Sequence, residues 1–270
     1  LGDSMAYTCA YYPTPDATLD EAQENKFRLI FEKMNLKPGD KHLDVGCGWG
    51  SMVRYAARQG VKSLGVTLSK EQAEWAQAKI IEEGLEDLAE VRFLDYRDVT
   101  ETGFDAISSI GLLEHIGVKN FASYFEFLAD KLRPGGVMVN HCITYPDNHK
   151  TPQGDFINRY IFPDGELTGS GTIIHEMQDH GFEVFHEENI RFDYMRTLHD
   201  WCENLKANWD EAVALVGENT AKLWGMYMAG SEWGFEHDVV ELHQVVGIKL
   251  ASDGSRAGAP ERRWWNDSVF

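Results

Sequence analysis

The chain has 270 residues, 43% of them hydrophobic, enough for one well-packed α/β domain with insertions but not comfortably for two. Its net charge of -19 argues against binding nucleic acid phosphates, which takes a basic footprint, and weakens attraction to anionic lipid. No apolar run approaches the ~20 residues that span a membrane. The four cysteines, Cys9, Cys47, Cys142 and Cys202, lack paired metal-ligand spacing. With no secretory signal in view they read as reduced thiols in a cytoplasm. The first residue is Leu1 rather than Met, so a preceding segment is expected.

In chain order, Thr18-Leu19-Asp20-Glu21 is a capping box that opens a helix to about residue 34. Pro38-Gly39 turns the chain into a strand over 41–45. A helix over 50–59, a strand over 63–66 and a helix to about 83 follow, the last opened by a second capping box, Ser69 to Gln72. Strands are expected at 91–94 and 104–110. A helix over 121–132 is ended by Pro134-Gly135-Gly136, and a fifth strand runs over 137–143. Alternation of this kind implies a doubly wound parallel sheet. Residues 145–169 are rich in Pro, Gly, Asp and aromatics, the composition of a lid or binding loop. Then come a helix (172–179), a strand (182–189), a long aromatic helical region (194–233) and a last strand (240–250). The tail from 252 reads as disordered.

The most informative stretch is Leu43-Asp44-Val45-Gly46-Cys47-Gly48-Trp49-Gly50-Ser51. An apolar strand runs into a Gly-x-Gly-x-Gly turn and then a helix. Glycines there let backbone approach a ligand and leave helix N–H groups facing it. This is a nucleotide-type cofactor site at the head of an α/β sheet. A dinucleotide enzyme would place a carboxylate on the ribose at the end of the second strand, where this chain reads Gly65-Val66-Thr67-Leu68-Ser69. S-adenosylmethionine fits better: Asp44, just before the first glycine, belongs to the cofactor site, and Asp95, after the third strand, is placed to read the adenine edge.

Several further segments together resemble the cyclopropane-fatty-acid synthase family, which includes the mycolic acid cyclopropane synthases. They are Met5-Ala6-Tyr7-Thr8-Cys9-Ala10-Tyr11, Gly65 to Gln72, Asp95-Tyr96-Arg97-Asp98, Ser109-Ile110-Gly111-Leu112-Leu113-Glu114-His115-Ile116-Gly117, His141-Cys142-Ile143 and Tyr194-Met195-Arg196-Thr197-Leu198. With the glycine turn they run from residue 5 to about 250. The resemblance implies the Rossmann-like, mostly parallel seven-stranded sheet of class I methyltransferases. One domain would cover 1–251, with 145–169 and 194–233 as lid and acyl-binding elements.

It also implies methyl transfer from S-adenosylmethionine to the cis double bond of an unsaturated phospholipid acyl chain, at the cytoplasmic face of a membrane. The product would be a cyclopropane; a methylene or methyl-branched acid is the alternative. A small-molecule methyltransferase and a non-catalytic, partner-dependent subunit are the other readings. Tyr7, Thr8, Gly46, Gly48, Thr67, Gln72, Tyr96, Arg97 and Gly111 would surround the cofactor. Bicarbonate would sit at the reacting centre as base, held by Glu114, His141, Tyr194 and the backbone of Cys9 and Ile143. A Glu114–His141 contact would orient the imidazole. A homodimer, and a reductase partner for a methylene product, stay open.

The chemistry explains such a site. An alkene is a poor nucleophile, and its attack on a sulfonium methyl leaves a carbocation that water would quench. A small base inside an apolar pocket must then take a proton. Phe121, Tyr124, Phe125, Tyr160, Phe162, Trp201 and Trp224 are the rings available for a tunnel whose faces stabilise the cation.

Overall fold

Thr18 opens the first helix, α1 (Leu19–Lys33). Its hydroxyl accepts the Glu21 N–H, and the Glu21 carboxylate accepts the Thr18 N–H, the reciprocal cap read from the sequence. β1 (Lys41–Val45), α2 (Ser51–Arg58), β2 (Lys62–Thr67), α3 (Lys70–Glu82), β3 (Ala89–Phe93) and β4 (Phe104–Ile110) follow in the expected alternation. After them come α4 (Phe121–Lys131), β5 (Leu132–Thr144), α5 (Asp155–Tyr160), α6 (Ser170–Asp179) and β6 (Phe182–Asn189). The chain then runs through α7 (Arg191–Ala207), α8 (Trp209–Val216), α9 (Glu218–Glu236) and β7 (Glu241–Lys249). This is a computed structural model, and it describes residues 1–149, 154–163 and 165–265.

The seven strands form one sheet in the order β3-β2-β1-β4-β5-β7-β6. β7 is antiparallel to both neighbours; the other pairings are parallel. Successive side chains on a strand face opposite sides, and the core divides accordingly. Ile107 and Met138 pack with Phe121, Tyr124, Phe125 and Leu128 of α4 and Met177 of α6. Their chain neighbours Ala106, Val137 and Val139 pack with Phe27 and Ile30 of α1 and Tyr55 of α2. A third cluster joins the N-terminal segment to α7 and α9 over the end of the sheet, through Cys9, Ala10, Tyr194, Trp201 and Tyr227.

Three boundaries depart from the sequence reading. β5 begins at Leu132, so Pro134-Gly135-Gly136 does not break the chain between helix and strand. It is a bulge: Leu132 pairs with Phe104, and the register shifts before Ala106 pairs with Val137. The aromatic region 194–233 is three helices, divided at Asn208 and at Gly217, whose φ of 84° stops α8. The tail packs on the body as far as residue 265. Arg256 forms two bonds to Glu183, Trp264 stacks on Phe185 and donates to the Glu32 carbonyl at 2.8 Å, and Trp265 is buried. Residues 266–270 of the expected disordered tail lie outside the described residues, as do 150–153 and 164 of the expected lid. No helix among the described residues is long and apolar enough to cross a membrane.

Candidate active site

Two cavities meet at the C-terminal ends of the parallel strands, where an open α/β sheet binds ligands. The first, about 510 Å³, lies over the glycine turn. Gly46 and Gly48 after β1, Thr67 at the end of β2 and Gln72 beyond it, Tyr96 after β3 and Gly111 after β4 all line it, with Tyr7 and Thr8 from the N-terminal segment. Gly48 has a φ of 53°, and a Cβ there would enter open space within 4 Å of nothing. The turn therefore presents bare backbone to the cavity. Thr67 donates to the Gln72 side-chain carbonyl at 2.8 Å. Ser69 caps α3 by accepting the Gln72 N–H, but Gln72 does not return the bond. The second capping box is thus only half made, and the Gln72 side chain, held by Thr67, lines the cavity instead.

Asp44 also lines this cavity. It is buried, accepts the Ser108 hydroxyl at 2.5 Å, and burial pushes its carboxyl up to about 7. Asp95 and Arg97 do not line it. They bind each other at 2.7 and 2.9 Å on either side of Tyr96, which does. The local reason is the short turn at 96–98: the Asp95 carboxylate caps it through the Arg97 N–H and takes the guanidinium as well.

The second cavity, about 400 Å³, is mainly apolar. Ile143, Ile157, Phe162, Leu198, Phe235 and Val240 contribute to its wall, together with Glu114, Tyr194 and Tyr227. Tyr7, Thr8, Gly111 and His115 line both cavities and so form their junction. Gly111 has a φ of 71°, and a Cβ there would stand 2.8 Å from the Thr8 methyl, so only glycine lets the two segments close.

Glu114 sits in a single turn after β4, buried, with Oε1 accepting the Ile143 N–H at 2.8 Å. Its Oε2 is buried without a partner among the described residues. Burial raises its carboxyl to about 7. The Ile143 N–H is therefore committed to Glu114. His141 lies on β5, fully within the protein, and lines neither cavity. Its ring is held by Gln244 at 3.1 Å on Nδ1, in place of the expected contact with Glu114, and its Nε2 is buried without a partner among the described residues. Desolvation, with Lys26 and Lys33 nearby, holds the ring neutral. Tyr194, on the first turn of α7, is buried against Phe235 and Trp201, and burial raises its hydroxyl far above the ordinary range. Cys9 is wholly buried, its thiol against the Ala10 carbonyl and pushed up by burial, so it is no nucleophile.

A model of the mycolic acid cyclopropane synthetase family matches residues 1–245. The chain belongs to that family. It is 60% identical over 98% of its length to a probable fatty acid methyltransferase of Mycobacterium tuberculosis. It is 36% identical over 95% of its length to the cyclopropane-fatty-acyl-phospholipid synthase of Escherichia coli K12. The chain spans 62% and 65% of those two relatives. It superposes with a TM-score of 0.84, at 31% identity over 92% of this chain and 91% of the other, on mycolic acid cyclopropane synthase CmaA1 complexed with S-adenosylhomocysteine and CTAB.

In this cyclopropane synthetase homologue, sequence reasoning missed two buried polar groups, one in a cavity wall and one behind His141. Lys26 of α1 lines the first cavity, donates to Thr8 Oγ1 at 2.8 Å and Gln23 Oε1 at 2.6 Å, and is held by burial at about 7. Gln244 holds His141. The signal in both cases is a polar residue at a buried position of an apolar pattern. Of the candidate tunnel rings, Phe162 lines the second cavity, and Trp201 and Trp224 pack on Tyr7. Phe121, Tyr124 and Phe125 are the face of α4 buried in the core against the sheet, and Tyr160 is exposed.

Proposed function

We propose that this chain transfers a methyl group from S-adenosylmethionine to the cis double bond of an unsaturated phospholipid acyl chain, giving a cyclopropane. The observation that carries this reading is the junction: a backbone-lined cavity over the glycine turn opens beside an apolar cavity that bears a buried carboxylate and a buried phenol. The first cavity suits the cofactor through Gly46, Gly48, Thr67, Gln72, Tyr96, Gly111, Tyr7 and Thr8. Glu114 Oε2 and His141 Nε2, both without a partner among the described residues, suit a small anion that can both donate and accept hydrogen bonds, as bicarbonate can. S-adenosylmethionine supplies the methyl, and bicarbonate the base for the departing proton. Cys9 contributes backbone at most, and the Ile143 N–H reaches that group only through Glu114.

The chain's own residues supply the rest. Phe162, Ile157, Leu198 and Phe235 exclude water from a cation. Tyr7 closes the junction between methyl donor and acceptor and presents its ring there. Residues Tyr145, Gly154, Ile157, Phe162, Gly165 and Leu167 come from the expected lid and line the acyl cavity, which supports that role for 145–169. Peripheral association with the inner membrane face is part of the proposal, since the acyl chain must be drawn from a bilayer. The alternative product of the same transfer is a methyl-branched acid, which needs a reductase partner to finish; the 60% identical relative is named a probable fatty acid methyltransferase, which fits either product.

The test is mass spectrometry of lipids after incubation with S-adenosylmethionine, bicarbonate and oleoyl phospholipid vesicles. A gain of one CH2 is expected, with fragmentation separating ring from methylene. No gain with any unsaturated lipid, despite measured cofactor binding, would move the chain to small-molecule methylation or to a partner-dependent role.

A further inference from the structure

Three register partners lie side by side across the last strands: His141 on β5, Gln244 on β7 and Glu188 on β6. Lys33, at the end of α1, reaches down onto this row and is completely buried. Its Nζ stands 2.5 Å from Glu188 Oε2 and 2.7 Å from Gln244 Oε1. Glu188 also accepts the Tyr11 hydroxyl at 3.1 Å and has His186 Nε2 at 3.8 Å. Gln244 Nε2 stands 3.1 Å from His141 Nδ1.

The donor inventory fixes the direction of every bond in this row. An ammonium only donates, so the Gln244 atom facing Lys33 is the carbonyl oxygen. The amide then turns its NH2 group to His141, and an NH2 group only donates. Nδ1 of His141 must therefore carry the lone pair, and the ring proton sits on Nε2, the nitrogen with no partner among the described residues. Glu188 anchors the ammonium that starts the chain.

We propose that Lys33 and Gln244 are positioning residues that fix His141 in its Nε2–H tautomer, making it a hydrogen-bond donor to the anion at the reacting centre and never a proton acceptor there. This rests on the reading in which His141 holds that anion. The neutral state of the ring agrees with it, since a neutral ring has one proton to place and the placement then decides its role. Proton acceptance is left to the anion and to Glu114. Partners that orient a metal-ligating histidine typically matter about 10- to 100-fold in affinity or activity, and an effect of the same order is expected for a histidine that holds an anion.

The test reads the tautomer directly. The full chain, labelled with 15N-histidine, is examined by two-bond 1H–15N correlation, with His141 assigned by its loss in His141→Asn. The unsubstituted protein should show His141 as Nε2–H. In Gln244→Glu the side chain keeps its shape and, ionised beside the Lys33 ammonium, can only accept, so the ring should flip to Nδ1–H, and turnover should fall by about 10- to 100-fold with S-adenosylhomocysteine affinity unchanged. Lys33→Met, which frees the amide to rotate, should give a mixture of tautomers. An Nδ1–H ring in the unsubstituted protein overturns the proposal without reference to any variant's folding. A ring that stays Nε2–H in Gln244→Glu overturns it too. A flipped ring with full turnover upholds the tautomer relay and sinks the anion-holding role of His141, so the two failures are distinguishable.

Discussion

At the scale of single residues, Gly48 and Glu114 have opposite burdens. Gly48 contributes only the absence of a side chain. Gly48→Val would force a β-branched residue to a φ of 53° and fill the space where backbone meets cofactor. Strain and overpacking of this kind cost about 3 kcal/mol together, so S-adenosylhomocysteine affinity measured by calorimetry should drop about 100-fold. Glu114 contributes chemistry. Glu114→Gln keeps the bond geometry to Ile143 within reach but removes the carboxylate, and turnover should fall about 100-fold or more while cofactor affinity holds. A variant that instead loses the cofactor would show that Glu114 belongs to the first cavity. The sequence exposed both residues because each sits in a motif bound to its immediate neighbours. Gln244 and Lys26 were hidden because their roles come from contacts 103 and 18 residues distant in the chain, with His141 and Thr8.

At the scale of elements, β1, β4 and β6 could be read residue for residue, since each is an uninterrupted strand run bounded by Gly, Pro or Asn turns. Position 132 could not. Pro-Gly-Gly usually ends an element, and only the pairing of Leu132 with Phe104 shows that the strand has already begun. The tail misled through composition: Gly, Arg and Pro suggested a solvated chain, while its two tryptophans close the α1 face of the sheet. The indole of Trp265 is edge-on to Phe185 and His186. Trp265→Ala should therefore destabilise the protein by about 3 kcal/mol, seen as a lower urea midpoint with little change in slope. An unmoved midpoint would mean that the tail contributes nothing to the fold.

At the scale of the whole molecule, the buried ionisable groups shape stability against pH. Glu114 is raised from 4.5 to about 7 and Asp44 from 3.8 to about 7, both by burial. Between their unfolded and folded values the folded protein holds protons that the unfolded chain has lost. Stability contributed by these groups is full in acid, falls as pH rises through that window and levels off above about 7. Lys26, lowered from 10.5 to about 7, acts in the opposite sense: the unfolded chain binds the extra proton, so its contribution recovers from 7 towards 10.5. Glu188, lowered to about 2, adds stability that is lost as pH drops below its ordinary value. Relative to the unsubstituted protein, Glu114→Gln should gain about 3 kcal/mol of unfolding free energy between pH 4.5 and 7. Parallel denaturation curves over that range would show Glu114 to be an ordinary carboxylate.

The place of β7 between β5 and β6 also sets a timetable. A ribosome makes β5 and then β6, yet neither can hydrogen-bond the other in the finished sheet. For the roughly hundred residues that separate β5 from β7, the outer edge of β5 has no mate, and an open edge invites pairing with other chains. His141 lies on that edge and receives Gln244 only when β7 slides into the gap. The first cavity, built on β1, β2, β3 and β4, can take shape during synthesis; the histidine's partner arrives nearly last. A nascent chain therefore acquires the means to hold its cofactor well before it acquires the oriented imidazole, and the two capacities are separated in time by the order of translation itself.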